Sequence, residues 1–78
     1  MLDAIIVGKT IQRYREEKGV SQEVLSSFAN LGRTHLSAIE RGERKPTLET
    51  LWKISEALEV KASDLMKTIE EEMEKQEQ

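Results

Sequence analysis

The chain has 78 residues, 37% of them apolar, with three aromatic side chains and no cysteine. That is enough apolar material for one small core; it excludes disulfides and thiolate metal sites and leaves self-association as the extra stabiliser expected of so small a domain. The net charge of −3 is local: residues 66–78 hold two lysines against five glutamates, while residues 1–65 balance at ten basic and ten acidic groups.

Helical spacing dominates, and strand alternation is nowhere sustained. The first helix is predicted to start at Asp3 or Val7 and to end at Lys18, with Val7, Ile11, Tyr14 and Arg15 on one side and Gly19 as a left-handed stop. Ser21 is the predicted N-cap of a short helix over Gln22–Ala29, whose apolar side is Leu25, Phe28 and Ala29 with Val24 beside it. Asn30-Leu31-Gly32 reads as a tight break in which Leu31 plugs the core. A third helix follows over Arg33–Arg41, stopped by Gly42, and then a charged loop, Glu43-Arg44-Lys45-Pro46. Thr47 caps a fourth helix over Leu48–Leu58, with Leu48, Leu51, Ile54 and Leu58 as its stripe. A fifth begins at Ala62 or Ser63, buries Leu65, with Met66 and Ile69 as further candidates, and runs into the acidic tail. None of these helices is long enough to be stable alone. The expected fold is therefore all-α, a bundle of about five short helices sharing one core.

Two short helices joined by a three- or four-residue turn, spanning about residues 22–41, have the form of a helix-turn-helix, whose second helix enters the DNA major groove. At about 100° per residue, Leu36, Ile39 and Glu40 fall on one side of the third helix, with His35 at the boundary. Arg33, Thr34, Ser37, Ala38 and Arg41 fall on the other. The apolar pair must face the core, so the Arg33 side faces out. Arg33 can pair bidentately with guanine, Thr34 and Ser37 can donate, accept or touch a thymine methyl, and Ala38 permits close approach. Gln22 opens the second helix, and Arg41, Arg44, Lys45 and Thr47 flank the reading surface, which suits them to phosphate contacts. A charged helix face is also the mark of an ordinary solvated surface, so spacing alone leaves both readings open.

The residues Gly19-Val-Ser-Gln22, Leu25, Ala29, Leu31, Arg33-Thr-His-Leu-Ser37 and Ile39-Glu-Arg-Gly42 closely resemble the Cro and phage-repressor (XRE) family of helix-turn-helix regulators. Pro46-Thr-Leu-Glu-Thr-Leu51, Ile54, Ala57-Leu58 and Leu65 continue the match across roughly residues 8–65, leaving 66–78 as an acidic helical tail. Within that family the chain is most similar to the controller proteins of restriction–modification systems. The resemblance implies a lambda-repressor-like domain acting as a homodimer on an inverted-repeat operator. It puts Gln22 near the DNA backbone and Arg33, Thr34 and Ser37 on base edges, with His35, standing where those proteins usually have tyrosine, as a further candidate for a base contact. It also implies a partly buried ion pair between Arg15 and Glu40. Gly32 replaces a commoner polar N-cap, and Asn30 stands where the family usually has glycine.

His35 is the only histidine. No ligand cluster surrounds it in sequence and no nucleophile with an orienting partner accompanies it, so no metal site, catalytic residue or cofactor is expected. Trp52 lies off the apolar stripe of its helix, where it either caps the core or joins Leu65, Met66 and Ile69 in a dimer interface, the reading preferred here. No apolar run approaches the roughly 18–20 residues of a membrane span, and Asp3 interrupts the N-terminus, so a cytoplasmic protein without membrane contact is expected. The expected function is sequence-specific binding of double-stranded DNA in transcription regulation, and the acidic tail reads equally as a solvated helix end, as a charge that keeps it clear of the phosphates, or as a contact for a partner such as RNA polymerase. The alternative is an antitoxin-like interaction module that binds a toxin as well as DNA.

Overall fold

A computed structural model describes residues 1–77 as five helices, α1 (Ala4–Lys18), α2 (Gln22–Phe28), α3 (Arg33–Glu40), α4 (Leu48–Leu58) and α5 (Ala62–Gln76), with no strand among the described residues. Three of them start on a side chain that takes up first-turn N–H groups otherwise without partners. Asp3 Oδ1 accepts from Ile5 N at 2.9 Å and Ile6 N at 3.3 Å. Ser21 Oγ accepts from Val24 N, and Thr47 Oγ1 from Thr50 N, each at 3.1 Å. At Gly32 and Lys61 no side-chain cap is made. Both α1 and α4 stop in the left-handed conformation, at Gly19 (φ 79) and Glu59 (φ 61), and Asn30 (φ 55) turns the chain the same way between α2 and α3.

All five helices feed one core. Val7 and Ile11 come from α1, Leu25 from α2 with Ala29 just beyond it, Leu36 and Ile39 from α3, Leu51, Ile54 and Leu58 from α4, and Leu65 and Ile69 from α5. Leu31 packs against this core from the turn, half-buried. Tyr14 adds a polar tie between α1 and α5, its hydroxyl 2.7 Å from Thr68 Oγ1.

Two apolar positions depart from the sequence expectation. Phe28 is 71% exposed, because Ser26 rather than Phe28 shares the inner side of α2 with Leu25 and Ala29, and Phe28 lies about 60° beyond Leu25, on the far side of that arc from Ser26. Leu48 is 83% exposed, because it occupies the first turn of α4, about a quarter turn from Leu51, Ile54 and Leu58. The acidic segment is part of α5, which runs unbroken to Gln76 with Ile69 buried and Met73 packed against the core.

Two glycines set α3 against α1. A Cβ on Gly8 would lie 2.3 Å from the Ile39 carbonyl oxygen and 2.6 Å from that of Glu40, so α1 rests directly on the backbone of the last turn of α3. Gly42, at φ 78, ends that turn, and a Cβ there would lie 2.8 Å from Ile5 Cγ1. A glycine inside a strong helical run is the sequence signal for such an approach.

Candidate nucleic-acid interface

The side of α3 away from the core is built by its two buried anchors. Leu36 and Ile39 are fully buried, which leaves Arg33, Thr34 and His35 exposed at the N-terminal turn and Ser37 and Ala38 half-buried beside them. Arg41 follows on the same side, exposed, and Arg44 and Lys45 are exposed in the loop beyond. The structure therefore brings the predicted base-reading residues onto one surface, continuous with the predicted backbone contacts of the loop.

Glu40, the third inward residue of α3, is charged and buried. It accepts from Arg15 Nε at 2.8 Å and Arg15 Nη2 at 3.0 Å, a bidentate pair, and from Gln22 Nε2 at 2.9 Å. Arg15 Nη1 donates to the Val20 carbonyl at 2.9 Å. One buried carboxylate thus ties α1, α2 and α3 together, Arg15 adds the turn before α2, and every buried side-chain polar atom among the described residues has a partner. The hydrogen bonds that Arg15 donates to Glu40 raise its pKa above its already high value, so the guanidinium stays charged. Spacing did not reveal the part taken by Gln22, because nothing local to residues 15, 22 and 40 records that three helices converge there. With one amide hydrogen on Glu40, Gln22 keeps its second for an outside acceptor.

Thr47 is exposed, but its hydroxyl hydrogen is already given to Thr50 Oγ1 at 3.0 Å while its oxygen caps α4. As it stands, Thr47 offers a phosphate no hydroxyl donor. Arg41 is also engaged, bidentately with Glu43 and with Ser37.

The residues assigned to a dimer interface divide. Leu65 and Ile69 are no more than 1% exposed and belong to the core, so they are not the exposed anchors expected of them, and Ile69 reaches only the wall of a surface cleft. The physical reason is that α5 turns its Leu65–Ile69 edge inward onto α1 and α4. Trp52 remains 54% exposed and Met66 half-buried. Beside them an apolar cleft of about 170 Å³ opens between Leu2, Pro46, Leu48, Leu51 and Met66. The exposed Leu48, absent from the expected interface, lies four residues before Trp52 and so shares its face of α4.

The acidic part of α5 meets α1 through Glu72, which lies 3.8 Å from Arg13 and pairs along its own helix with Lys75 at 2.8 Å, and α5 as a whole packs on α1 and α4. Among the described residues, no group of three or more His, Cys, Asp or Glu side chains could hold a metal ion, and no helix is long and apolar enough to cross a membrane.

A family model described as helix-turn-helix matches residues 11–65. The control protein C.BamHI of Bacillus amyloliquefaciens is 40% identical over 63 residues, covering 80% of this chain and 78% of that protein. An uncharacterized HTH-type transcriptional regulator, y4dJ, of Sinorhizobium fredii is 36% identical over 66 residues, covering 85% and 86%. Among solved structures, the wild-type restriction–modification controller protein C.Esp1396I superposes with a TM-score of 0.86 at 35% identity, covering 96% of this chain and 97% of that one. The controller protein C.AhdI of Aeromonas hydrophila gives 0.79 at 31%, covering 83% and 98%.

Proposed function

The chain belongs to the helix-turn-helix family of XRE type, and from that premise we propose that it reads an inverted-repeat operator in double-stranded DNA as a homodimer, as a controller of a restriction–modification system. Its relatives are regulators and control proteins, and it is a DNA-binding transcriptional regulator of that kind rather than an enzyme.

The observation that carries the reading is the division of α3, with Leu36, Ile39 and Glu40 locked inward and Arg33, Thr34, His35, Ser37 and Ala38 turned outward. Arg33 takes a guanine edge, with Thr34, Ser37 and Ala38 beside it and His35 at the margin. Gln22, Arg44 and Lys45 take the flanking phosphates, together with Thr47 through its backbone, since its hydroxyl is committed, while Arg41 stands on the same side already paired with Glu43. The dimer forms on the face of Leu48, Trp52 and Met66, an exposed apolar surface that a domain of this size gains by covering. The same cleft borders Pro46, close in sequence to the end of α3, so a two-fold contact there presents both reading helices together. Operator half-sites would then sit about 34 Å apart, one helical turn. Occupancy follows protein concentration, because dimerisation and DNA binding are linked by mass action.

The test is selection from randomised duplex DNA with purified protein at about 0.15 M salt. The expected result is an enriched inverted repeat whose half-site spacing reports the dimer. Loss of all binding as salt rises, with no enriched sequence, would overturn base reading. A second reading, a module whose main partner is another protein such as a toxin or RNA polymerase, draws on Val24 and Phe28, which lie four residues apart on α2 and are 40% and 71% exposed. A partner that co-purifies stoichiometrically and is lost on Phe28→Ser would bring that reading forward.

A further inference from the structure

The outward side of α3 holds one side chain that is not free to meet DNA. Arg41 Nε and Nη2 donate to the two carboxylate oxygens of Glu43 at 2.8 and 3.0 Å, and Arg41 Nη1 donates to Ser37 Oγ. The way α3 ends builds this arrangement. The left-handed turn at Gly42 (φ 78) folds the chain back, and Glu43 N donates to the Ala38 carbonyl at 2.9 Å, fixing the Glu43 backbone against the helix. The carboxylate therefore stands over the guanidinium two residues before it. Both side chains are about half exposed, at the C-terminal end of the side of α3 that carries Arg33, Ser37 and Ala38.

This has two chemical consequences. A phosphate that takes Nε and Nη2 together must displace Glu43 and leave an uncompensated carboxylate beside the DNA backbone, and one that uses the two remaining N–H groups meets a guanidinium whose charge Glu43 already balances. In addition, a serine hydroxyl has one hydrogen and two lone pairs. With one lone pair taken by Arg41, the Ser37 hydrogen is left for an acceptor in front of the helix, such as guanine O6 or N7, adenine N7 or thymine O4.

We propose that Glu43 is a positioning residue for sequence discrimination: it holds Arg41 across Ser37, withholding the guanidinium from the phosphates of random DNA and presenting the Ser37 hydroxyl as a donor to base edges. The proposal rests on α3 being the base-reading helix. Random duplex, which gains only from backbone charge, is penalised more than a matched site.

The test uses the full chain as wild type, Glu43→Gln, Arg41→Gln and the double variant. Each is titrated with the duplex enriched by selection and with a random duplex of equal length, from about 0.05 to 0.2 M salt. Glu43→Gln is expected to tighten binding to random duplex by about three- to tenfold, to steepen the slope of log K against log salt by about one unit, and to lower the ratio of selected to random affinity. In the Arg41→Gln background the same change is expected to do little, about twofold at most, because the residue acts through Arg41. An equal gain in both backgrounds would reduce Glu43 to simple charge repulsion and overturn the proposal. So would a wild type that discriminates between the duplexes with a ratio that Glu43→Gln leaves unmoved. A wild type that binds both duplexes alike would overturn the base-reading function itself, and the proposal with it.

Discussion

Replacing Glu40 by glutamine removes one negative charge from the point where α1, α2 and α3 meet. The Glu40 side chain is 2% exposed and accepts three hydrogen bonds, two from Arg15 and one from Gln22. A neutral carboxamide of the same shape keeps one acceptor oxygen. It cannot receive both Arg15 nitrogens and Gln22 together, and it turns an NH2 group towards donors. Arg15 is left as a charge without a counter-charge, 11% exposed, with the Val20 carbonyl at 2.9 Å as its remaining partner. Breaking one side of a buried pair costs about 3–5 kcal/mol. The residual exposure of Arg15 and its bond to Val20 place this case near the lower end, at about 3 kcal/mol. For a domain of this size that lowers Tm by about 12 °C or more. Circular dichroism at 222 nm during heating measures it directly. A second variant isolates the electrostatic cause. Arg15→Met combined with Glu40→Met removes both charges and is expected to recover most of the loss, since a buried ion pair rarely outweighs apolar packing of similar volume. A fall in Tm below about 4 °C for Glu40→Gln, or a double variant no more stable than the single one, would refute the reasoning.

Gly8→Ala is expected to destabilise the fold although it improves helix propensity, because the new methyl would sit 2.3 Å from the Ile39 carbonyl oxygen and force α1 off α3; a cost of about 1–3 kcal/mol should appear as a lower urea midpoint, and a higher midpoint would contradict the close approach. Arg33→Ala should weaken binding to the selected operator by about 1–3 kcal/mol and relax preference at one base position, read by repeating the selection; uniform weakening across all sequences would move Arg33 to the phosphates. Trp52→Ala together with Leu48→Ser should convert the protein to monomer in light scattering at low micromolar concentration and weaken operator binding more than tenfold, and persistence of the dimer would place the interface elsewhere. Ile69→Glu tests something different: at 1% exposure it should unfold the chain rather than only split a dimer, which thermal melting separates from a change in mass.

Much of this protein is legible from local chemistry. Caps and stops are short-range events, so Ser21, Thr47 and Gly19 mark helix ends that the structure places within a residue or so of expectation, and Asp3, as N-cap, fixes the earlier of the two expected starts of α1. The spacing of Leu36 and Ile39 orients α3, because two apolar side chains on one short helix leave a single side for solvent. The family was also readable, since its pattern combines turn residues, core positions and the reading helix in one order. Other features depend on which helices meet. Whether Phe28, Leu48, Leu65 or Ile69 lies inside is decided by neighbours distant in sequence, and periodicity assigns an apolar residue to a stripe without saying what covers it. Gly8 acquires its purpose from two carbonyl oxygens more than thirty residues away. Glu40 becomes the shared acceptor of Arg15 and Gln22, and Glu43 the holder of Arg41, only once the chain has folded back on itself. Helix ends and helix faces follow from interactions within a turn or two of the chain, so sequence determines them; close approaches and shared buried partners follow from the packing of whole helices, which the tertiary structure alone decides.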